Sequence, residues 1–304
     1  MAISRAQLVK ELEPGLNALF GLEYKRYDNQ HAEIYTNESS DRAFEEEVML
    51  SGFANANVKV EGSGVNYDQS QETYTARYTH DTIALAFAIT EEAIEDNLYD
   101  RISSRYTKAL ARSMSNAKQV KAAAPLNNGL PTADNFDSGD GKSLFNTAHT
   151  TVSGTNVKNT LTTQADLNET SLEQALIDIA AFTDERGLRV AAKGVKMIIP
   201  SANQFSAERL LKSQGRTGTA DNDINAVASM GMVPQGYRVN NFLTDSDSWY
   251  IITDVPNGMK MFTRAPLTTA MEGDFDTGNV RYKARERYSF GVSDYRGIFG
   301  CEGA

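Results

Sequence analysis

TEEAIEDNLYDRISSRYTKALARSMSNAKQVKAAA, residues 90–124, carries a helical repeat from end to end and stops at Pro125. Apolar side chains recur at Ile94, Leu98, Ile102, Tyr106, Ala109/Leu110, Met114, Ala117 and Val120, steps of three and four that line one narrow face. Thr90 is a good N-cap, and Glu91, Glu92, Glu95 and Asp96 suit the positive end of the helix dipole, as Lys118 and Lys121 suit the negative end. At 1.5 Å per residue such a helix is roughly 50 Å long, more than a compact domain ordinarily uses. Something extended must lie along it. Beside the apolar stripe, Arg101, Arg105, Lys108 and Arg112 form a basic line. That line reads as a solvated face, as a strip for an acidic segment of a neighbour such as Glu45, Glu46 and Glu47, or as a face toward DNA.

The chain has 304 residues, 40% of them hydrophobic, enough for one large domain or two small ones with a real core. Its apolar runs, as at 83–89 and 196–200, are far shorter than a membrane helix. The opening MAISRAQLVKEL lacks the apolar centre of a signal peptide, and the lone Cys301 has no partner for an internal disulfide, so a reducing cytoplasm fits. A formal charge of −10 argues against the chain as a whole being drawn to nucleic acid.

Upstream, Ser4 with Gln7 makes a capping box, and Ile3 with Leu8 a hydrophobic staple, predicting a short helix that breaks near Pro14-Gly15. Residues 23–42 turn polar, an arm that would lie on a partner. Residues 44–89 run through Glu45-Glu46-Glu47, Val58 and Val60, turn at Gly62 and Gly64, and return through Tyr74, Ala76, Tyr78, Ile83, Leu85, Phe87 and Ile89 at period two. This reads as one long hairpin feeding the helix. A lone hairpin is marginal in water, so it is covered either by its own domain or by a neighbouring subunit.

Residues 127–161 are loop-like around LFNTAHT, and a second helix follows, capped at Thr170 or Ser171, burying Leu172, Ala175, Leu176, Ile179 and Phe182, and stopped by Gly187. A buried strand at 195–200, a helix at 202–212, a turn at 224–230 and paired strands at 237–242 and 249–253 come next. Strands at 259–263, 267–272 and 279–293 end the chain. Strands and helices mix without regular alternation, so the fold class is α+β.

Chemistry is sparse. SGDGKS at 138–143 ends like a P-loop, yet the first glycine should fall at Phe136 and no strand precedes it. Asp134, Asp137 and Asp140 miss the calcium-loop spacing, and His31, His80 and His149 lie in separate segments without zinc-ligand spacing. No nucleophile elbow, Cys-His pair or dinucleotide fingerprint occurs. The reading is no catalytic residue, no metal and no cofactor.

The order of parts, with the strings AFEEEVMLSGFANANVKVEGSGVNYD, YTARYTHDTIALAFAITEEAIEDNLY, ADLNETSLEQALIDIAAFTDERGL, GTADNDINAV and RYSFGVSDYRGIFG, resembles the major capsid proteins of tailed bacteriophages, relatives of Mu-type head subunits. The resemblance covers most of residues 38–300. It implies an N-terminal arm at 1–43, an extended E-loop hairpin at 44–89, a P domain at 90–194 with its spine helix at 90–124, an A domain at 195–255, and return strands at 256–304. It implies hexamers and pentamers of an icosahedral shell around double-stranded DNA that is contacted only weakly, assembled in the host cytoplasm and ending in the virion. Portal, a separate scaffolding protein and a decoration protein are the implied partners, with no membrane. Intersubunit contacts would then involve Glu45, Glu46, Glu47, Val58, Val60, Tyr67, Tyr74, Tyr78, Arg101, Arg105, Lys108 and Arg112. Lys59 is the hairpin's lysine, but no acceptor and catalytic glutamate match it, so no covalent cross-link is carried over. An encapsulin-like nanocompartment is the alternative on the same fold, and a soluble α+β enzyme the alternative of another class.

Overall fold

The computed structural model describes residues 5–90, 92, 99–133, 136–215, 223–273 and 278–304. In chain order its main elements are α1 (Arg5–Arg26), β1 (Thr36–Ser39), β2 (Phe44–Leu50), β3 (Glu72–Thr79), β4 (Asp81–Ile89), α2 (Tyr99–Asn128), β5 (His149–Thr150) and β6 (Asn156–Val157). There follow α3 (Glu169–Ala180), β7 (Gly194–Ile199), α4 (Gln204–Lys212), α5 (Ala226–Met230), β8 (Tyr237–Val239), β9 (Trp249–Thr253), β10 (Met259–Gly273), β11 (Val280–Val292) and β12 (Ile298–Cys301). One four-stranded sheet has the order β1-β10-β11-β4 and a second the order β12-β9-β7-β8, while β2-β3 and β5-β6 are two-stranded.

The expected spine is α2, and its first turn at 91 and 93–98 lies outside the described residues, as does the capping box at Ser4. It does not stop at Pro125: the helix runs on to Asn128, Leu126 is fully buried, and Gly129 N–H donates to the Pro125 carbonyl at 3.0 Å. Lys118 and Lys121 are therefore not last-turn residues. Lys118 reaches Glu286 at 3.1 Å and Lys121 reaches Asp81 at 2.5 Å. The buried line is also not the apolar stripe. Leu110 and Met114 are buried, but Tyr106 and Val120 are 52% and 50% exposed. Buried in their place are Ser103, Thr107, Ala111, Ser115, Gln119, Ala122 and Ala123. The helix is enclosed by α1 and by the β11/β4 face, and small or hydrogen-bonding residues fit between them where Tyr and Val would not.

α1 runs unbroken through Pro14, against the expected break. A proline inside a helix costs about 3 kcal/mol. Beyond it Leu16 and Phe20 bury against Leu110, Ala111, Met114, Tyr282 and Ala284, and that contact offsets the loss. The segment that follows the helix then turns on the spine: Gln119 Oε1 accepts from His31 N–H at 3.0 Å, and Tyr35 donates to the Ala122 carbonyl at 2.6 Å. The described arm residues thus pack on their own chain.

The returning strand of the hairpin divides at His80. β3 pairs antiparallel with β2, whereas β4 pairs with β11, from Asp81 opposite Tyr288 to Ile89 opposite Val280. One residue therefore joins strands of two different sheets. In the central sheet β8 and β9 do not pair with each other: both flank β7, β8 parallel and β9 antiparallel. The last strand, β12, completes this sheet on β9. α3 is capped by Asn168, whose side chain accepts from Ser171 N–H while the Ser171 hydroxyl takes the Asn168 N–H. The expected pair of strands at 259–263 and 267–272 is a single β10 with irregular pairing around Pro266.

Candidate assembly surface

The root of the β2/β3 hairpin is tied into the chain by its acidic run. Alternation along β2 puts Glu45 and Glu47 on the half-buried side and Glu46 outward. Glu45 accepts from the Ser40 hydroxyl at 2.7 Å; that hydroxyl also lies 2.9 Å from His80 Nε2, whose Nδ1 faces Ser289 at 3.0 Å. Burial, then the charge of Arg287, holds His80 below the usual imidazole range. Glu47 binds Lys260 at 2.5 Å, and Lys260 also binds Glu38 at 3.0 Å. Burial works against the Lys260 charge, but the two carboxylates outweigh it and hold the ammonium above its usual range. Ser293 donates to Glu47, and Tyr78 OH lies 2.5 Å from the Ser293 hydroxyl. Lys260 thus pins strands from arm, hairpin and sheet at one point. Sequence reading passed it over; its signal was a lysine alternating within apolar MKMF.

The expected contacts therefore divide. Tyr78 is 2% exposed, packed on Phe262 at 4.8 Å between ring centres, so its side chain is spent inside the chain and not offered to a neighbour. Tyr74 is half-buried against Tyr295, and Gly139 approaches it so closely that a Cβ there would sit 2.6 Å from its ring. Glu46 leans on Arg77 at 3.8 Å, and Arg77 caps the Phe44 ring at 4.1 Å. Little of the acidic run is left for another chain's basic line.

Beyond Leu50 the hairpin opens into a loop. Ser51 N–H donates to the Gln71 carbonyl at 2.9 Å and closes its neck. Val58 and Val60, expected in a strand, lie in irregular backbone, and among the described residues no strand lies beside them to take their backbone bonds. Val58 is 94% and Tyr67 98% exposed, with Phe53, Val60 and Val65 exposed as well. Asp68 accepts from Ala54 N–H at 2.7 Å and Gln69 N–H at 2.9 Å within the loop and from Arg186 of the body at 2.8 Å, and these bonds hold its carboxyl below the usual range.

On α2, Arg105, Lys108 and Arg112 are exposed and have no carboxylate partner among the described residues; the side chain of Arg101 lies outside them. The three histidines are internal. His31 meets Gln119, His80 meets Ser40 and Ser289, and His149 meets Asp140 at 2.6 Å while stacking on Tyr295. Among the described residues no group of His, Cys, Asp and Glu converges to hold a metal, and no helix is long and apolar enough to cross a membrane. Asp134, of the acidic triplet, lies outside the described residues.

The described residues build a stapled root carrying an exposed apolar loop. No curated protein matches the chain. Among solved structures it is similar to the capsid of an empty GTA particle, at TM-score 0.59 and 13% identity with 91% of each chain covered. It is similar to the procapsid subunit of bacteriophage JBD30, at TM-score 0.55 and 14% identity, covering 99% of this chain and 77% of that one. It is also similar to a virus-like particle from Pyrococcus furiosus, at TM-score 0.53 and 10% identity, covering 94% and 98%. These likenesses show the fold. Residues 73–300 match the profile of the family described as phage capsid protein, and on that match, which spans most of the chain, the protein belongs to the phage capsid protein family.

Proposed function

We propose that this structural capsid protein assembles with itself into hexamers and pentamers of an icosahedral head that encloses double-stranded DNA. The observation that carries the reading is the loop at 51–71: large apolar side chains as exposed as Val58 and Tyr67 on a stapled hairpin are an aggregation liability in a monomer and a grip in a shell. The parts of the chain then take the roles of N-terminal arm (1–43), E-loop (44–89), P domain (90–194), A domain (195–255) and return strands (256–304). Assembly in the host cytoplasm with a portal, a separate scaffolding protein and a decoration protein belongs to the same proposal, with genome contact weak on an acidic chain. Many modest contacts suffice, because each subunit makes several.

Electron microscopy of particles purified after expression, with extraction of nuclease-protected DNA from particles made in infected cells, tests it. Closed shells holding double-stranded DNA are expected. A monomer at all concentrations would defeat the proposal. On the same fold, which the chain shares with a virus-like particle from Pyrococcus furiosus, a second reading is a nanocompartment around protein cargo. Closed shells with protein and no DNA would select it.

A further inference from the structure

On β11, Arg287 lies opposite Thr82 of β4 and Ala265 of β10. The β10 register slips between Thr263, opposite Tyr288, and Ala265, so Arg264 is the extra residue there, and the bulge sets two arginines next to each other. Both are half-buried, and their Nε–H groups are shut off from the surface with no acceptor. Neither guanidinium makes a hydrogen bond or an ion pair among the described residues. Arginines as buried or more so are partnered, Arg186 by Asp68 at 2.8 Å and Arg296 by Glu185 at 2.5 Å. The carboxylates near the pair are engaged elsewhere: Glu45 accepts from the Ser40 hydroxyl at 2.7 Å, and Asp81 binds Lys121 at 2.5 Å. Two unpaired like charges whose donors are partly desolvated call for an anion. His80 marks the place. Its Nδ1 faces Ser289, two residues from Arg287 on the same face of β11, and its Nε2 faces Ser40, whose N–H donates to the Thr263 carbonyl beside Arg264. Burial, then the charges of Arg287 and Arg264, depress its imidazole, with Glu45 opposing.

We propose that Arg264 and Arg287 form a binding site for a small oxyanion of the phosphate class, seated between the two guanidinium groups at the root of the hairpin. A tetrahedral oxyanion has acceptor oxygens on several sides, so it can take N–H groups from both arginines and a further bond from the exposed Thr82 hydroxyl, directly opposite Arg287 on the same face. Phosphates of a nucleic-acid backbone are the less favoured source, because the Nε–H groups lie below the surface and the chain as a whole carries a charge of −10. The bound anion joins β10 to β11 at the bulge. Its charge also offsets that of the arginines at His80, so it favours the imidazolium, and anion and proton are taken up together.

Calorimetric titration of the full chain with inorganic phosphate, in chloride buffer at constant ionic strength, is expected to show saturable binding at one site per chain. Arg264→Gln and Arg287→Gln should each weaken it at least about tenfold, the loss that follows from one charge-assisted hydrogen bond. Lys283→Gln, which removes an exposed cation from the same face of β11, should leave it unchanged. A second readout needs no variant: followed by NMR in the wild-type chain, saturating phosphate should move the His80 titration midpoint up toward the usual imidazole range, and chloride at equal ionic strength should not. The absence of saturable binding overturns the proposal, as does an unmoved His80 midpoint. Binding that survives both arginine substitutions, or that falls equally with Lys283→Gln, overturns it too. A short DNA duplex that binds through these arginines where inorganic phosphate does not assigns the pair to nucleic acid and overturns it as well.

Discussion

His31 is held neutral by its setting. Its backbone N–H and Nδ1 both meet the Gln119 amide at 3.0 Å, and burial first, then the charge of Lys118, pushes the imidazole down to about 4. In the unfolded chain it titrates near 6.5. A folded value below the unfolded one means this stability is fully present above pH 6.5 and drains away as pH falls toward 4, on the order of 3 kcal/mol at most. Urea unfolding of wild type and His31→Gln at pH 7.5 and pH 4.5 should show the variant losing less on acidification; equal losses would refute the account. Arg296 is the opposite case, buried as an ion among carboxylates. It is 3% exposed and bound to Glu185 at 2.5 Å, to Asp294 at 3.2 Å and to the Thr183 carbonyl at 2.8 Å. Arg296→Met strands two buried carboxylates and should cost about 3–5 kcal/mol in chemical unfolding. Adding Glu185→Gln should recover part of that loss.

The helices and strands show where local pattern suffices. The leucine and alanine spacing of α3 told its buried face correctly, because one helix meeting one core has one apolar side. α2 misled on two points, because it is enclosed by α1 and the sheet, and because a proline next to a buried leucine can be carried through by packing. The break expected at Pro14 fails for the same reason. Pro14 is itself exposed, so Pro14→Ala removes the helix penalty without opening the core and should raise the melting temperature, by up to about 3 kcal/mol of added stability. A melting temperature equal to that of wild type would show that Pro14 carries no helix penalty in this setting. For the hairpin, the Ser51–Gln71 bond marks where to cut. Replacing residues 53–69 with a short Gly-Asn turn should leave thermal unfolding near wild type and abolish particles; particles of normal size would rule out the loop as the grip.

For the molecule as a whole, α+β architecture and the capsid resemblance were legible, since they rest on long strings in a fixed order. The use made of each residue was not. Tyr78 alternates like an outward strand residue, yet Phe262 and Ser293 from distant strands close over it. The role of Lys260 was not legible, because it depends on which strands lie beside it. Register is a property of the folded chain. The same holds for His80, a single residue between β3 of the hairpin and β4 of the fixed sheet. It is buried and hydrogen-bonded to Ser40 and Ser289, so the point where the chain passes from one sheet to the other is also the point at which the hairpin is locked to the body, and the loop beyond it inherits its direction from the sheet of β4 and β11.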